Sequence, residues 1–175
     1  MFKTETKFGL LMGIGICLWV LIEYFLGFHT SKLHIGQYSI YFVTIVPLLT
    51  IYLGLKEKRD LQFNGKISLS NGIRSGLMIS LIAAIIISFF LIIYFNYINP
   101  QYSEIGVAYY KEKILLSNKT LIQQKQELDN INKMFSFINQ LLFGVIGTIC
   151  AGLFISFVVS LYLKKDDSLR KNIIS

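Results

Sequence analysis

Residues 54 to 76 read "GLKEKRDLQFNGKISLSNGIRSG": five basic side chains, a tight-turn dipeptide and three serines set between two long apolar runs. Charge crowded between runs of that kind marks where a chain leaves a membrane, turns and re-enters it. Asn64-Gly65 is the dipeptide that best tolerates positive φ at both positions, so the chain reverses there. Ser68 and Ser70 then precede an apolar-periodic segment as helix N-caps do, which predicts a helix starting around Leu69 to Arg74.

Outward from this stretch, a hydrocarbon core about 30 Å thick takes about 20 apolar residues of helix to cross. Four runs approach that length: 8–28, 38–55, 76–98 and 135–163. Only the last is long enough to demand tilt or a start outside the lipid. A mean hydropathy of +0.58, with two prolines in 175 residues, excludes an ordinary soluble domain. The first run follows Lys3 and Lys7 but is too long for a signal-peptide core and lacks a small-residue cleavage site, so it is read as a retained span. Cys17 and Cys150 both fall in apolar runs and act there as small hydrophobes.

The sequence thus predicts an all-α integral membrane protein, a single domain over 1–175. It has four transmembrane helices and an extramembrane helical pair between the third and fourth. Eleven of the seventeen Lys and Arg, with all three arginines, fall in the N-terminal arm, the 56–74 connection and the tail (Lys164, Lys165, Arg170, Lys171). The positive-inside bias therefore places both termini and the opening stretch in the cytoplasm. A net charge of +7 split among membrane-flanking segments points to anionic lipid headgroups and away from nucleic acid.

The outer insertion, 101–134, is too long for a structureless loop. Ile105, Ala108 and Tyr109 recur at helical spacing, and Ile114, Leu121, Leu128 and Phe135 recur every seven residues. Thr120 with Gln123 forms a capping box and Ser117-Asn118 a break, so two helices joined near 117 to 120 are expected, the second running into the fourth span.

Helices in lipid associate where small residues let backbones approach. Gly72, Gly76, Ser80, Ala84 and Ser88 recur at spacings of four in the third run, and Gly144, Thr148, Gly152, Ser156 and Ser160 in the fourth. Gly9, Gly13 and Cys17 add a stripe in the first. These contacts fit either one bundle or two protomers. Pro47 predicts a kink inside the second span.

Glu23 is the one acidic residue inside an apolar run. An ionisable group there is a candidate ion-coupling site. Five residues of helix rise about 7.5 Å, so its carboxylate also has the reach to meet headgroups or Lys32. His29 and His34 lie just beyond, but their spacing misses one helix face and no third ligand is near; no metal or cofactor is expected. Arg59 and Asp60 read as a topology anchor and a turn or capping carboxylate, with partner docking as the alternative. No catalytic or nucleotide-binding motif occurs in the sequence. A non-enzymatic protein is therefore expected, one that works through helix packing with itself or with another membrane protein.

Gly54-x-Lys56-x-x-Arg59-Asp60, Gly65-x-Ile67-Ser68, Gly76 and Tyr97-Ile98-Asn99-Pro100, with the lysine- and glutamine-rich insertion, resemble a family of small four-span bacterial membrane proteins, a domain of unknown function numbered four-one-nine-nine. Members usually carry an aromatic where Leu69 stands here. The resemblance implies this architecture and a bacterial inner (cytoplasmic) membrane, with no activity attached. Four spans with an acidic residue in the first also resemble the small multidrug resistance exporters, which implies a proton-coupled transporter using Glu23 as a second reading. This chain departs from them in its longer outer insertion and in a glutamate nearer the membrane edge.

Overall fold

The computed structural model describes the backbone of residues 3–174 and the side chains of residues 3–39 and 41–164; the tail cations Lys165, Arg170 and Lys171 lie outside the described side chains. Among the described residues every element is helical. They are α1 (Lys3–Phe25), the short turns α2 (Leu33–Gly36) and α3 (Ile40–Val43), α4 (Ile45–Gln62), α5 (Leu69–Ile93), a π-helical turn (Tyr94–Ile98), α6 (Tyr102–Leu115), α7 (Leu121–Met134) and α8 (Phe137–Ile174).

Three helices are long and apolar enough to cross a membrane: Lys3–Phe25, Leu69–Ile98 and Phe137–Lys164, with mean hydropathies of 2.0, 2.9 and 2.4. The chain is a multi-pass membrane protein. Large apolar side chains such as Phe25, Phe89, Phe143 and Phe154 project outward, each more than 60% exposed, as lipid-facing residues do. The run expected as one span over 38–55 is instead divided at Thr44 between α3 and α4. Pro47 stands in the first turn of α4, where its missing N–H costs nothing, so the expected kink becomes a helix start. Past Leu55 the same helix runs on through Lys56, Glu57, Lys58, Arg59 and Asp60.

The opening stretch is accordingly less of a loop than its charge implies. Only residues 63–68 are non-helical. Asn64 and Gly65 take φ of 49° and 78°, and Lys66 N–H closes the turn onto Phe63 O at 3.0 Å. The Ser68 side chain then accepts Asn71 N–H and caps α5 at Leu69, the start expected from the sequence.

The core is built where α1, α4, α5 and α8 meet: Phe8, Met12, Ile51, Leu55, Ile79, Ala83, Ile87, Ile155 and Val159. Glycines set the spacing. A Cβ on Gly9 would fall 2.7 Å from Ile82 Cβ, and one on Gly54 would fall 2.9 Å from Ile79 Cδ1. Between α5 and α8 the approach is closer still. A Cβ on Gly72, Gly76 or Gly152 would fall within 2.0, 1.6 and 1.7 Å of the hydroxyls of Ser160, Ser156 and Ser80 respectively. Each step of four up one helix meets a step of four down the other, so the two run antiparallel with a glycine facing a serine at each step. The buried hydroxyls are not orphaned. Ser80 Oγ donates to Gly76 O at 2.9 Å, Ser156 Oγ to Gly152 O and Ser160 Oγ to Ser156 O, the back-bonding that removes a hydroxyl's desolvation cost in a helix. The stripes expected to drive association are thus used within one chain.

The insertion forms the expected pair. Thr120 and Gln123 make a reciprocal capping box on α7. The chain breaks again at residues 135–136, however, so α7 does not run into α8. Phe135 is drawn inward at the break, 5% exposed. It packs so closely on Gly106 of α6 that a Cβ there would meet the ring at 2.1 Å. The seven-residue repeat is not one seam: it crosses the turn between α6 and α7 and ends in the turn after α7, leaving Ile114 and Phe135 buried and Leu121 84% exposed.

Candidate functional site

A buried polar network closes the end of the bundle where α1 stops. Gly27, at φ 80°, turns the chain out of α1, and Phe28 N–H reaches back to Glu23 O at 2.9 Å, the six-to-one bond of a glycine-terminated helix. This return carries His29 back over the last turn of α1. On the facing helix, the π-helical turn inserts one extra residue per turn, so Asn99 N–H bonds Tyr94 O at 2.8 Å and the side chains of Tyr94 and Asn99 fall on one side.

The contacts run in a chain. Asn99 Nδ2 donates to Tyr94 Oη at 3.1 Å, Tyr94 Oη lies 2.6 Å from His29 Nδ1, and His29 Nε2 lies 3.1 Å from Glu23 Oε2. Trp19 Nε1 donates to the other carboxylate oxygen of Glu23. One assignment satisfies every group: the tyrosine hydroxyl donates to Nδ1, and the imidazole, protonated on Nε2, donates to the carboxylate. Glu23 and Tyr94 are 6% and 1% exposed. Tyr102, at the start of α6, stacks edge-on against His29 at 5.3 Å and tilts over Phe135 at 5.7 Å, joining this end of the bundle to the outer hairpin. Burial, and after it the nearby charge of Glu23, pushes the Tyr102 hydroxyl up to about 12.

A cleft of about 260 Å³ opens beside the network. Glu23 is its one acidic wall residue; the others include Trp19, Phe28, Tyr38 and Phe42. The cleft's surface is almost wholly apolar, because both oxygens of the Glu23 carboxylate are turned to Trp19 and His29.

The Glu23 carboxylate bonds Trp19 and His29, while Lys32, the partner expected for it, is exposed; the turn at Gly27 is what delivers His29. His34 is exposed and stands off the network. Trp19, Tyr94, Asn99 and Tyr102 were not legible as site residues, since aromatics near span ends ordinarily belong to the interfacial belt. The one signal available was Asn99 before Pro100, a polar side chain at a helix end.

The remaining candidates lie elsewhere. Gly54 is buried against Phe8. Lys56 and Asp60 are exposed and Gly65 shapes the turn. Arg59, expected at the surface, is 2% exposed, with Nε on Asp60 Oδ1 at 2.9 Å. Gly76, Ser80, Gly152 and Ser156 form the α5–α8 seam, Ala84 is buried on α5, and Gly144 faces Leu91. Thr148 bonds Gly144 O at 2.7 Å.

One family model matches residues 7–165, described as a protein of unknown function (DUF4199). The chain belongs to the DUF4199 family. The match takes in nearly all of α1, the whole of α4 and α5, the α6–α7 hairpin and α8 as far as residue 165. No curated protein and no solved structure matches the chain.

Proposed function

We propose that this DUF4199 member is a non-enzymatic, partner-binding component of a bacterial inner membrane, a four-span protein with both termini in the cytoplasm. The fourth crossing rests on how α4 sits. Lys58, near the end of α4, bonds Glu5 at the start of α1, and Lys7 pairs with Glu57 at 2.5 Å. Having left that end along α1, the chain must return to it along α3 and α4. Leu48, Leu49 and Leu53 point outward, as lipid-facing residues do, while Ile51 and Leu55 are fully buried in the core. The orientation rests on the eleven cations at this end of the chain's topology.

The observation that carries the partner-binding reading is the tip of the α6–α7 hairpin. Leu115, Leu116, Leu121 and Ile122 are 54%, 79%, 84% and 73% exposed, outside any membrane-capable helix. Lys111, Lys113, Lys119 and Lys125 flank them in the sequence, against Glu112 and Glu127, the last paired with Lys119. Two such tips repel, so the fitting occupant is an apolar groove with an acidic rim on another membrane protein. The α5–α8 stripe is spent inside the chain.

In-membrane cross-linking of a tagged copy at native expression tests this. The expected result is one stoichiometric foreign protein, lost when Leu116→Asp and Leu121→Asp are introduced together. Capture of only the chain itself, or capture indifferent to those substitutions, refutes the reading.

The Glu23 cleft favours a second reading, a small transporter of organic cations coupled to protons through the His29–Tyr94 chain. Glu23→Gln in proteoliposomes decides it: undiminished cation-dependent proton flux removes the idea.

A further inference from the structure

At the opposite end of the bundle, a cleft of about 300 Å³ lies between the start of α1, the end of α4 and the start of α5. Its wall carries Glu5, Lys58, Gln62, Asn71, Arg74 and Ser75, with Phe63 and Met78 completing it. The Glu5 side chain is 1% exposed. One of its oxygens accepts from Lys58 Nζ, and the other, Oε2, is buried with no hydrogen-bond partner among the described residues. An ionised oxygen left without a donor in so buried a place is costly, and native proteins rarely tolerate it. Arg74 stands exposed on the same wall and Lys58 is largely buried beside it, its side chain 14% exposed.

We propose that this cleft is a phospholipid headgroup site, in which Arg74 and Lys58 take the phosphate and Glu5 Oε2 accepts a hydrogen bond from the headgroup's ammonium or hydroxyl. Three features select this chemistry. The wall offers two cations and one carboxylate, a balance that suits a phosphodiester anion carrying its own donor. It lies where the apolar run of α1 begins at Phe8 and that of α5 begins at Gly76, which is headgroup depth in a membrane. Met78 and Phe63 add apolar surface on which a glycerol backbone rests. The occupant supplies the donor that the protein itself withholds from Glu5.

The full-length protein, purified in detergent, is titrated with phosphatidylethanolamine, phosphatidylglycerol and phosphatidylcholine of identical acyl chains, and bound lipid is read by native mass spectrometry. Phosphatidylcholine has the same phosphate but no donor. The first two are expected to bind about tenfold or more tightly than the third, the worth of one hydrogen bond to a charged group. Arg74→Gln, at an exposed position outside the core, should weaken all three alike. Glu5→Gln should level the difference between them. Should Glu5→Gln fail to fold, the lipid comparison on the unaltered chain and the Arg74→Gln series still decide. Equal binding of the three lipids, or a preference that survives in folded Glu5→Gln, overturns the proposal. Displacement of bound lipid by equimolar phosphoethanolamine or glycerol phosphate overturns the lipid as the source and assigns the site to a soluble phosphate ester.

Discussion

Gly76→Ala probes the tightest of the glycine contacts. The new Cβ would fall 1.6 Å from Ser156 Oγ and 2.4 Å from Ser156 Cβ. Rotating the serine hydroxyl away removes the first clash and leaves the second, because the Cβ is fixed by the backbone, and carbon atoms pack at about 3.5–4.0 Å. The helices must therefore part by on the order of 1 Å. Overpacking of this kind costs about 1–3 kcal/mol, while exchanging glycine for alanine in a helix returns up to about 1 kcal/mol. With a clash this close the upper end of that range applies, so the net loss is expected at about 2 kcal/mol. Combining Gly76→Ala with Ser156→Gly moves the side chain from one helix to the other without changing the gap, and should restore stability to within about 0.5 kcal/mol of the parent. Reversible unfolding in mixed micelles measures the parent, Gly76→Ala, Ser156→Gly and the pair. If Gly76→Ala costs nothing, or the double substitution is merely the sum of the singles, α5 and α8 are not packed as described.

Two further expectations follow from the network and its cover. Tyr94→Phe leaves the His29 and Asn99 partners of that hydroxyl unpaired in a buried site, so a loss of about 1–3 kcal/mol is expected in the same unfolding assay; a neutral effect would mean water reaches them. Tyr102 keeps its proton to about pH 12 when folded, against 10.0 for the free side chain. Its contribution is therefore complete below pH 10 and disappears as the pH rises from 10 to 12. The difference in stability between the parent and Tyr102→Phe should shrink by about 2–3 kcal/mol over that interval. A constant difference refutes it.

The parts of this fold that could be read in advance are those set by one residue's own backbone or by a simple repeat. Asn64-Gly65, the Ser68 cap and the Thr120–Gln123 box are local, and the glycine and serine spacing of four names a helix face wherever the partner lies. What the stripe could not say was whose helix it met; only the antiparallel matching of Gly76 with Ser156 and Ser80 with Gly152 decides that. The seven-residue repeat misled because its spacing continues across the turn between α6 and α7, where Ile114 and Leu121 belong to different helices. Glu23 was legible as unusual, yet its partners were not. His29 reaches it through a left-handed glycine, and Tyr94 through an extra residue in a π-helical turn, and neither leaves a mark in sequence spacing.

The pairing of glycine with serine across the α5–α8 seam also governs where the two helices can stop. Sliding α8 by one turn in one direction sets Ser80 against Ser156, two hydroxyl-bearing side chains where the gap admits one. Sliding it the other way sets Gly76 against Gly152, bare backbone across an empty space, and brings Thr148 onto Ser80. One neighbouring alignment is crowded, and the other combines a gap at one step with a clash at the next, so the pair has a single seat. The hairpin between these helices inherits that fixed footing, and whatever docks on its tip meets a head that cannot shift lengthwise against the membrane.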